Sequence, residues 1–187
     1  MSDDLLFVTI YQLKVTLQES KPPIWRRLQV RNDATLYQLH QTLQVAMGWT
    51  NSHLHQFAVA SVYFGEPYPE EGFDVIDERQ VNLGQIVRRV HDKFVYAYDF
   101  GDGWRHDVVV EEVLKPDPDV RYPICLAGRR HCPPEDVGGI WGYSRFLEAI
   151  ADVDHPEHDH YLEWMGGSFD AKAFDLNEIN RNLRRIR

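Results

Sequence analysis

The sequence Phe94-Val-Tyr-Ala-Tyr-Asp-Phe-Gly-Asp-Gly-Trp-Arg-His-Asp-Val-Val-Val-Glu-Glu-Val-Leu114 holds two predicted strands around a tight turn. The strands cover Phe94 to Phe100 and Arg105 to Leu114. Gly101-Asp102-Gly103 lies between them, and a turn this tight needs the positive φ angles that glycine adopts readily. The stretch therefore predicts an antiparallel hairpin.

A second hairpin is predicted near the amino end. Apolar and polar residues alternate over residues 10–18, which is typical of a half-buried strand. Lys21-Pro22-Pro23 indicates a turn, and Ile24 to Val30 is predicted to be the partner strand.

The apolar period then changes to that of a helix, with Leu36, Leu39 and Leu43 on one face. Thr35 and Gln38 form a capping box before it, and Gly48 is a suitable stop. The rest of the chain is predicted as a strand over His53 to Val59, a loop over Tyr63 to Phe73, and helices after Asn82, over Tyr143 to Ile150, over Asp154 to Trp164 and after Asp175.

This β-β-α-β-(α)-β-β order, followed by helices, predicts an α+β fold. We expect a mostly antiparallel or mixed sheet with carboxy-terminal helices packed on it. The β-β-α-β start is β-grasp-like by analogy alone. Residues 1–187 are expected to form a single domain.

The formal net charge of −9 over 187 residues opposes attraction to DNA, RNA or anionic membranes. It favours a protein or a small ligand as the partner over nucleic acid, and leaves the oligomeric state open. Two cysteines and the lack of a signal peptide indicate a reducing compartment, and no apolar run approaches membrane-spanning length. We therefore expect a soluble, cytoplasmic protein without a membrane partner.

The segment from Cys125 to Gly139 concentrates reactive side chains between turn-forming residues. Its prolines and glycines exclude a helix or a central strand. Cys125, His131 and Cys132 are zinc-ligand types, although their spacing is not that of the usual knuckle. A disulfide is disfavoured in the cytosol, and a nucleophilic Cys132 needs a base from elsewhere.

Carboxylates and one histidine give a second set of candidates. They can hold a divalent metal or act as acid and base, and the catalytic candidates are Asp99, Asp102, His106, Glu135 and Asp136. The metal candidates among them are Asp102, His106 and Glu135. Each has a structural alternative, since Asp-Gly favours turns, His106 is in register with the inward-facing Val108, and acids suit the start of a helix.

Other histidines and the tryptophans add further candidates. His53 and His55 are two residues apart in a predicted strand, so both rings face the same side and either bind a metal or enter the core. His155 to His160 is interpreted as a solvated helix start. The tryptophans lie beside the candidate segments described above. We predict that Trp104, Cys132, Trp141 and Tyr143 contact a bound ligand or partner.

Several spaced segments together carry a resemblance to a known family. They are Tyr11-Gln-Leu-Lys-Val15, Pro23-Ile-Trp-Arg-Arg27, His53-Leu-His-Gln-Phe57, Tyr96-Ala-Tyr-Asp-Phe-Gly-Asp-Gly-Trp-Arg-His106, Tyr122-Pro123, Gly128, Cys132-Pro-Pro-Glu-Asp-Val-Gly-Gly139, Gly142-Tyr143, Trp164, Gly166-Gly167 and Phe169-Asp170. In this combination the chain resembles the plasmid pRiA4b ORF-3-like family. The resemblance covers nearly the whole chain. It implies an α+β domain linked to plasmids or transposable elements, and it supplies no mechanism.

Two functions follow as hypotheses. The first is a non-enzymatic binding or accessory protein of plasmid or transposon origin. Its cleft would lie between the Gly101-Asp102-Gly103-Trp104 hairpin and the Cys132 to Gly139 loop, and no cofactor would be needed. The alternative is a metal-dependent hydrolase or nuclease that uses an Asp/Glu/His cluster and a divalent metal.

Overall fold

An eight-stranded sheet forms the centre of the protein. The computed structural model describes residues 8–67 and 75–186 of the chain. The strands are β1 (Ile10–Leu17), β2 (Trp25–Arg31), β3 (His55–Val59), β4 (Val62–Gly65), β5 (Ile76–Asp77), β6 (Lys93–Tyr98), β7 (Trp104–Leu114) and β8 (Ile124–Arg129).

The strand order is β5-β4-β3-β6-β7-β1-β2-β8. Every pair is antiparallel except β4 with β5, which is parallel. The hairpin predicted around Gly101-Asp102-Gly103 is confirmed, with Tyr98 opposite Trp104. The open, mixed sheet together with the helices confirms the α+β fold.

Within the described residues, five α-helices accompany the sheet: α1 (Leu36–Met47), α2 (Leu83–Ile86), α3 (Gly139–Ala151), α4 (His158–Trp164) and α5 (Leu176–Leu183). The capping box of Thr35 and Gln38 is present at the start of α1, and Gly48 adopts the left-handed conformation at its end. Among these helices, none is long and apolar enough to span a membrane.

The core lies between one face of the sheet and α1. Val15 and Val108 pair across the central strands and are fully buried, as is Leu39 of the helix. The alternation of β7 continues inward to His106, which is also fully buried. On the opposite face, Arg27 of β2 forms an ion pair with Glu111. The predicted half-buried pattern therefore separates a core face from a polar face.

The carboxy-terminal segment covers the β8 edge of the sheet. The side-chain amide of Asn180 in α5 donates to the Cys125 carbonyl oxygen and accepts from the Cys125 backbone N–H, both at 2.8 Å. This pair of hydrogen bonds imitates the next strand of a sheet, and it satisfies backbone groups that an edge strand leaves unpaired.

Several predicted elements differ from the structure in their bounds, including the strand predicted from His53, which begins at His55, and the helix predicted from Asp154, which begins at His158. Part of the predicted loop beginning at Tyr63 belongs to β4, and its residues 68–73 lie outside the described range. The first residues of the Cys125 to Gly139 segment form β8, an edge position that tolerates such a sequence. The helix after Asn82 ends at Ile86, and Val87 is extended.

Candidate functional site

Three segments meet at one end of the sheet: residues 49–53 after α1, the hairpin residues 98–102, and the loop 133–139. Trp49 Nε1 donates to the Pro133 carbonyl oxygen at 3.0 Å. The Thr50 backbone N–H and hydroxyl donate to Glu135 Oε2 at 3.1 and 2.5 Å. The Tyr98 hydroxyl donates to the other Glu135 oxygen. Glu135 therefore fastens the loop to the other two segments.

A second set of contacts joins the loop to the tip of the hairpin. The Gly138 backbone N–H donates to Asp102 Oδ2 at 3.2 Å. Gly139 lies so close that a Cβ atom added to it would be 2.5 Å from the Asp102 carbonyl oxygen. The hairpin tip and the loop are thus in direct contact at this point, and the predicted turn aspartate connects them.

The place where these three segments meet, here called the junction, brings His53, Asp99 and Asp136 together. His53 Nε2 lies 3.2 Å from Asp136 Oδ1 and 3.7 Å from Asp99 Oδ2. The three potential ligand atoms all lie within 4.8 Å of one another. Imidazole nitrogen and carboxylate oxygen are ligands for divalent transition metals. Around a cation with ligand bonds of about 2.1 Å, neighbouring ligands are about 3.0 to 3.4 Å apart. The 3.2 Å separation of His53 Nε2 from Asp136 Oδ1 lies in this range, and the 3.7 Å separation from Asp99 Oδ2 is slightly longer.

The ring nitrogen of His53 is the decisive atom of this cluster. Nε2 is inaccessible to solvent and has no hydrogen-bond partner in the described part of the chain, although a carboxylate oxygen lies 3.2 Å away. An unpaired buried polar atom costs about 1–3 kcal/mol. A cation between the nitrogen and the two carboxylates would remove that cost.

The hairpin backbone orients Asp99. The Gly101 and Asp102 backbone N–H groups donate to Asp99 Oδ1 at 3.0 and 3.2 Å, and Oδ2 is the oxygen that faces His53. Asp99 and Asp136 have φ angles of 54° and 61°, a left-handed conformation that aspartate tolerates. Asp99 is buried, whereas the Asp136 side chain is 71% exposed, so the cluster opens to solvent on the side of the loop.

The proposed metal candidates Asp102, His106 and Glu135 do not form such a cluster within residues 8–67 and 75–186. His106 faces the core, where its Nδ1–H donates to the Tyr96 carbonyl oxygen at 3.2 Å and its ring packs edge-on against Trp49. Burial lowers the pKa of His106 to about 4, so the ring is neutral. The residue was correctly expected to face inward, and its neighbours there are core residues.

His53 and His55, which the sequence predicts to face the same side of one strand, lie in different environments. β3 begins at His55, so the alternation that would place both rings on one side does not extend to His53. The His55 ring stacks on His40 at 3.4 Å between centroids and donates from Nε2 to the buried Glu78 at 2.8 Å. His55 therefore belongs to a polar network under α1, and His53 belongs to the junction.

Both cysteines lie in the core. Cys125 and Cys132 are free thiols and both are buried. Burial raises the pKa of Cys125 to about 11 and that of Cys132 to about 12. Thiolates are the reactive and metal-binding form, so these environments oppose both roles. The neighbouring His131 donates from Nδ1 to the Cys132 carbonyl oxygen at 2.6 Å and packs against Phe169.

The four predicted binding residues divide into two pairs. Trp104 and Cys132 are buried in the core. Trp141 and Tyr143 line a groove of about 390 Å³ beside the start of α3, together with residues of the β1–β2 turn. Two of the four residues therefore lie on a groove, and the other two lie in the core.

Comparison with known proteins agrees with the motifs that build this junction. The sequence model described as plasmid pRiA4b ORF-3-like protein matches residues 9–178. The chain belongs to the plasmid pRiA4b ORF-3-like family. The match includes β1, the hairpin and the loop, so all three cluster residues lie inside the family domain.

Two other proteins are similar to this chain over most of its length. The chain is 44% identical over 178 residues to the uncharacterized protein y4hQ of Sinorhizobium fredii (strain NBRC 101917 / NGR234), covering 94% of this chain and 91% of the relative. It also resembles the crystal structure of a protein of unknown function, MM3350, from Methanosarcina mazei Go1. There the TM-score is 0.82 at 34% identity, covering 92% of this chain and 97% of that chain.

Proposed function

We propose that the protein is a cation-dependent binding or accessory protein, which holds one divalent metal ion at the junction through His53, Asp99 and Asp136. The observation that carries the proposal is His53 Nε2, which is inaccessible to solvent, has no hydrogen-bond partner in the described part of the chain, and lies within 3.7 Å of two carboxylate oxygens. In the described part of the chain, no lysine or arginine forms an ion pair with either aspartate. A cation would therefore offset the mutual repulsion of the two carboxylates.

The ligand set indicates the class of ion. One imidazole and two carboxylates suit borderline first-row metals such as Zn²⁺ or Mn²⁺, whereas Ca²⁺ prefers a larger, all-oxygen shell. Three protein ligands leave at least one coordination position for water or for an oxygen of a partner. The exposed side of Asp136 provides the access for such a partner.

The metal would also complete the junction mechanically. His53, Asp99 and Asp136 come from the three segments that Glu135 and Asp102 already fasten together. We infer that a bound ion makes this end of the sheet a rigid platform, as a binding role in a plasmid- or transposon-borne system requires. The acidic surroundings favour a protein or small-ligand partner over a nucleic acid.

A second candidate function is metal-dependent hydrolysis. The open position on a metal held by three protein ligands is the arrangement with which catalytic zinc sites activate water. The solvent exposure of Asp136 supports this candidate, because a substrate could reach the ion from that side.

Metal binding is tested by isothermal titration calorimetry, in which chelator-treated protein is titrated with Zn²⁺ or with Mn²⁺. We expect one equivalent to bind, and Asp136→Asn to weaken binding at least about tenfold, which is the scale of losing one charged ligand. Asp136 is exposed, so this variant should fold. His53→Gln should act in the same direction, and the exposed His160→Gln is the matched control that should bind as the parent does. Equal binding by all four proteins, or no binding, would contradict the proposal.

The same proteins separate the two candidate functions. Metal-loaded protein is assayed with bis(p-nitrophenyl) phosphate and p-nitrophenyl acetate. Turnover that needs the metal and disappears in Asp136→Asn would establish the hydrolase. Stoichiometric metal binding without turnover supports the binding role.

A further inference from the structure

A groove on another part of the surface has the features of a ligand site. It has a volume of about 390 Å³, within the range of small-molecule pockets. One wall is the β1–β2 turn with Lys21 and Pro22, and the other is the first two turns of α3. The residues of the metal cluster do not line it, so this inference does not rest on the proposed function.

The helical wall is apolar. Ile140, Tyr143 and Leu147 recur at helical spacing and all line the groove. Trp141 stands at the rim with 80% of its surface exposed, more than any other large apolar side chain in the described part of the chain. Aromatic rings at such a rim give large contact area to a ligand at low entropic cost.

Cationic and polar groups complete the lining. Lys21, Arg130 and one carboxylate, Glu19, border the groove. Neither cation forms an ion pair with any residue that the structure describes. The side chain of Tyr143 is 95% buried, and its hydroxyl has no hydrogen-bond partner among the described residues. Arg130 is near enough to act electrostatically on that hydroxyl. Because that hydroxyl has no solvent-accessible surface, a ligand in the groove would contact the Tyr143 ring rather than its oxygen.

These observations restrict the ligand. Two unpaired cations against the single carboxylate of Glu19 give the lining a net positive charge in a protein of net charge −9, which favours an anion. The apolar wall and the exposed indole require a hydrophobic body next to that anion. The volume accommodates a single ring with a short arm.

We propose that this groove binds a small carboxylic acid with an aromatic or branched apolar body. Arg130 and Lys21 hold the carboxylate, and the ring packs between Trp141 and Leu147. A guanidinium and a carboxylate form a strong charge-assisted hydrogen bond, which supplies the preference for an acid over a neutral amide.

The test compares phenylpropanoate with phenylpropanamide, which has the same body without the charge. Binding of each compound to the full chain is followed by isothermal titration calorimetry and by tryptophan fluorescence. We expect the carboxylate to bind at least about tenfold more tightly than the amide, as one charge-assisted hydrogen bond implies. Arg130→Gln should remove this difference, while Trp141→Ala should weaken both ligands at least about fivefold.

Exposed positions elsewhere serve as controls. Arg121→Gln and Val153→Ala alter exposed side chains outside the groove lining and should leave both affinities unchanged. Because Trp141 is mostly exposed, its variant should fold, which circular dichroism verifies. Equal affinity for acid and amide, no binding of either, or unchanged binding in both groove variants would overturn the proposal. So would binding of the peptide acetyl-Phe-Asp-amide without binding of phenylpropanoate, because the site would then take a partner segment.

Discussion

Gly139 and the carbonyl oxygen of Asp102 are in direct contact, because a Cβ atom on Gly139 would lie only 2.5 Å from that oxygen. The glycine has a φ angle of +69°, so its conformation and its surroundings both exclude a side chain. This contact fixes the loop of Asp136 against the hairpin of Asp99. The position of the cluster therefore depends on residue 139 having no Cβ atom.

Gly139→Ala should lower the free energy of unfolding by roughly 3 kcal/mol, since left-handed strain and overpacking add. Gly166→Ala is the matched control, because Gly166 has a φ of +71° and nothing within 4 Å of an added Cβ. It should lose only about 1 kcal/mol. Urea denaturation measures both, and equal losses would show that the Asp102 contact contributes nothing.

Tyr98 and Glu135 should be energetically coupled. Burial, and then the hydrogen bond to Glu135, raise the pKa of the Tyr98 hydroxyl, which therefore stays protonated and donates to the carboxylate. A double-mutant cycle with Tyr98→Phe and Glu135→Gln should give a coupling energy of about 1–3 kcal/mol. The parallel cycle of Tyr98→Phe with the exposed Glu148→Gln should give none. Additive losses in the first cycle would argue against the hydrogen bond.

Acid should destabilise the protein through His106. Its pKa is about 4 in the folded chain, because burial disfavours the charged ring, against about 6.5 when unfolded. Between these values the unfolded chain binds more protons, so stability is full above pH 6.5 and falls as the pH drops towards 4. The contribution of this residue is roughly 3 kcal/mol.

The variant His106→Phe isolates this effect. Its stability should fall less steeply than that of the parent over the same pH range, measured by urea denaturation at each pH. The exposed His160→Phe should keep the slope of the parent. A slope unchanged by His106→Phe would contradict the assignment.

Asn180→Ala should weaken the β8 edge. The substitution removes both hydrogen bonds to Cys125 and should cost about 1–3 kcal/mol. It also exposes unpaired strand groups, so sedimentation should detect more self-association than in the parent. Asn182→Ala is the control on the same helix, because Asn182 does not bond to β8 in the described structure. Identical behaviour of the two variants would refute the role of Asn180.

Local signals in the sequence were sufficient for the hairpins and for α1. Gly101 to Gly103 specify a turn, and Thr35, Gln38 and Gly48 specify helix ends, because these features depend on neighbouring residues alone. The alternation of apolar residues along β7 also predicts correctly that the His106 side chain faces the core. It could not show that the inward side holds Trp49, because that contact joins distant parts of the chain.

The junction shows where sequence reasoning ends. The sequence predicts Asp99 and Asp136 as catalytic candidates, but it places His53 in a strand on the same side as His55. The chain adopts a positive φ of 59° at Asn51, and β3 begins only at His55, so no strand period relates the two histidines. Which histidine meets the aspartates is decided by long-range contacts such as that of Thr50 with Glu135.

The three residues of the cluster come from segments far apart in the chain, and this spacing has a consequence for the lifetime of the protein. An unfolded chain cannot hold His53, Asp99 and Asp136 within 4.8 Å, so a cation would bind the native state alone. At a hundred times its dissociation constant, such an ion adds about 2.7 kcal/mol to stability. Proteases act on the open form, so the cellular abundance of the protein would follow the metal supply.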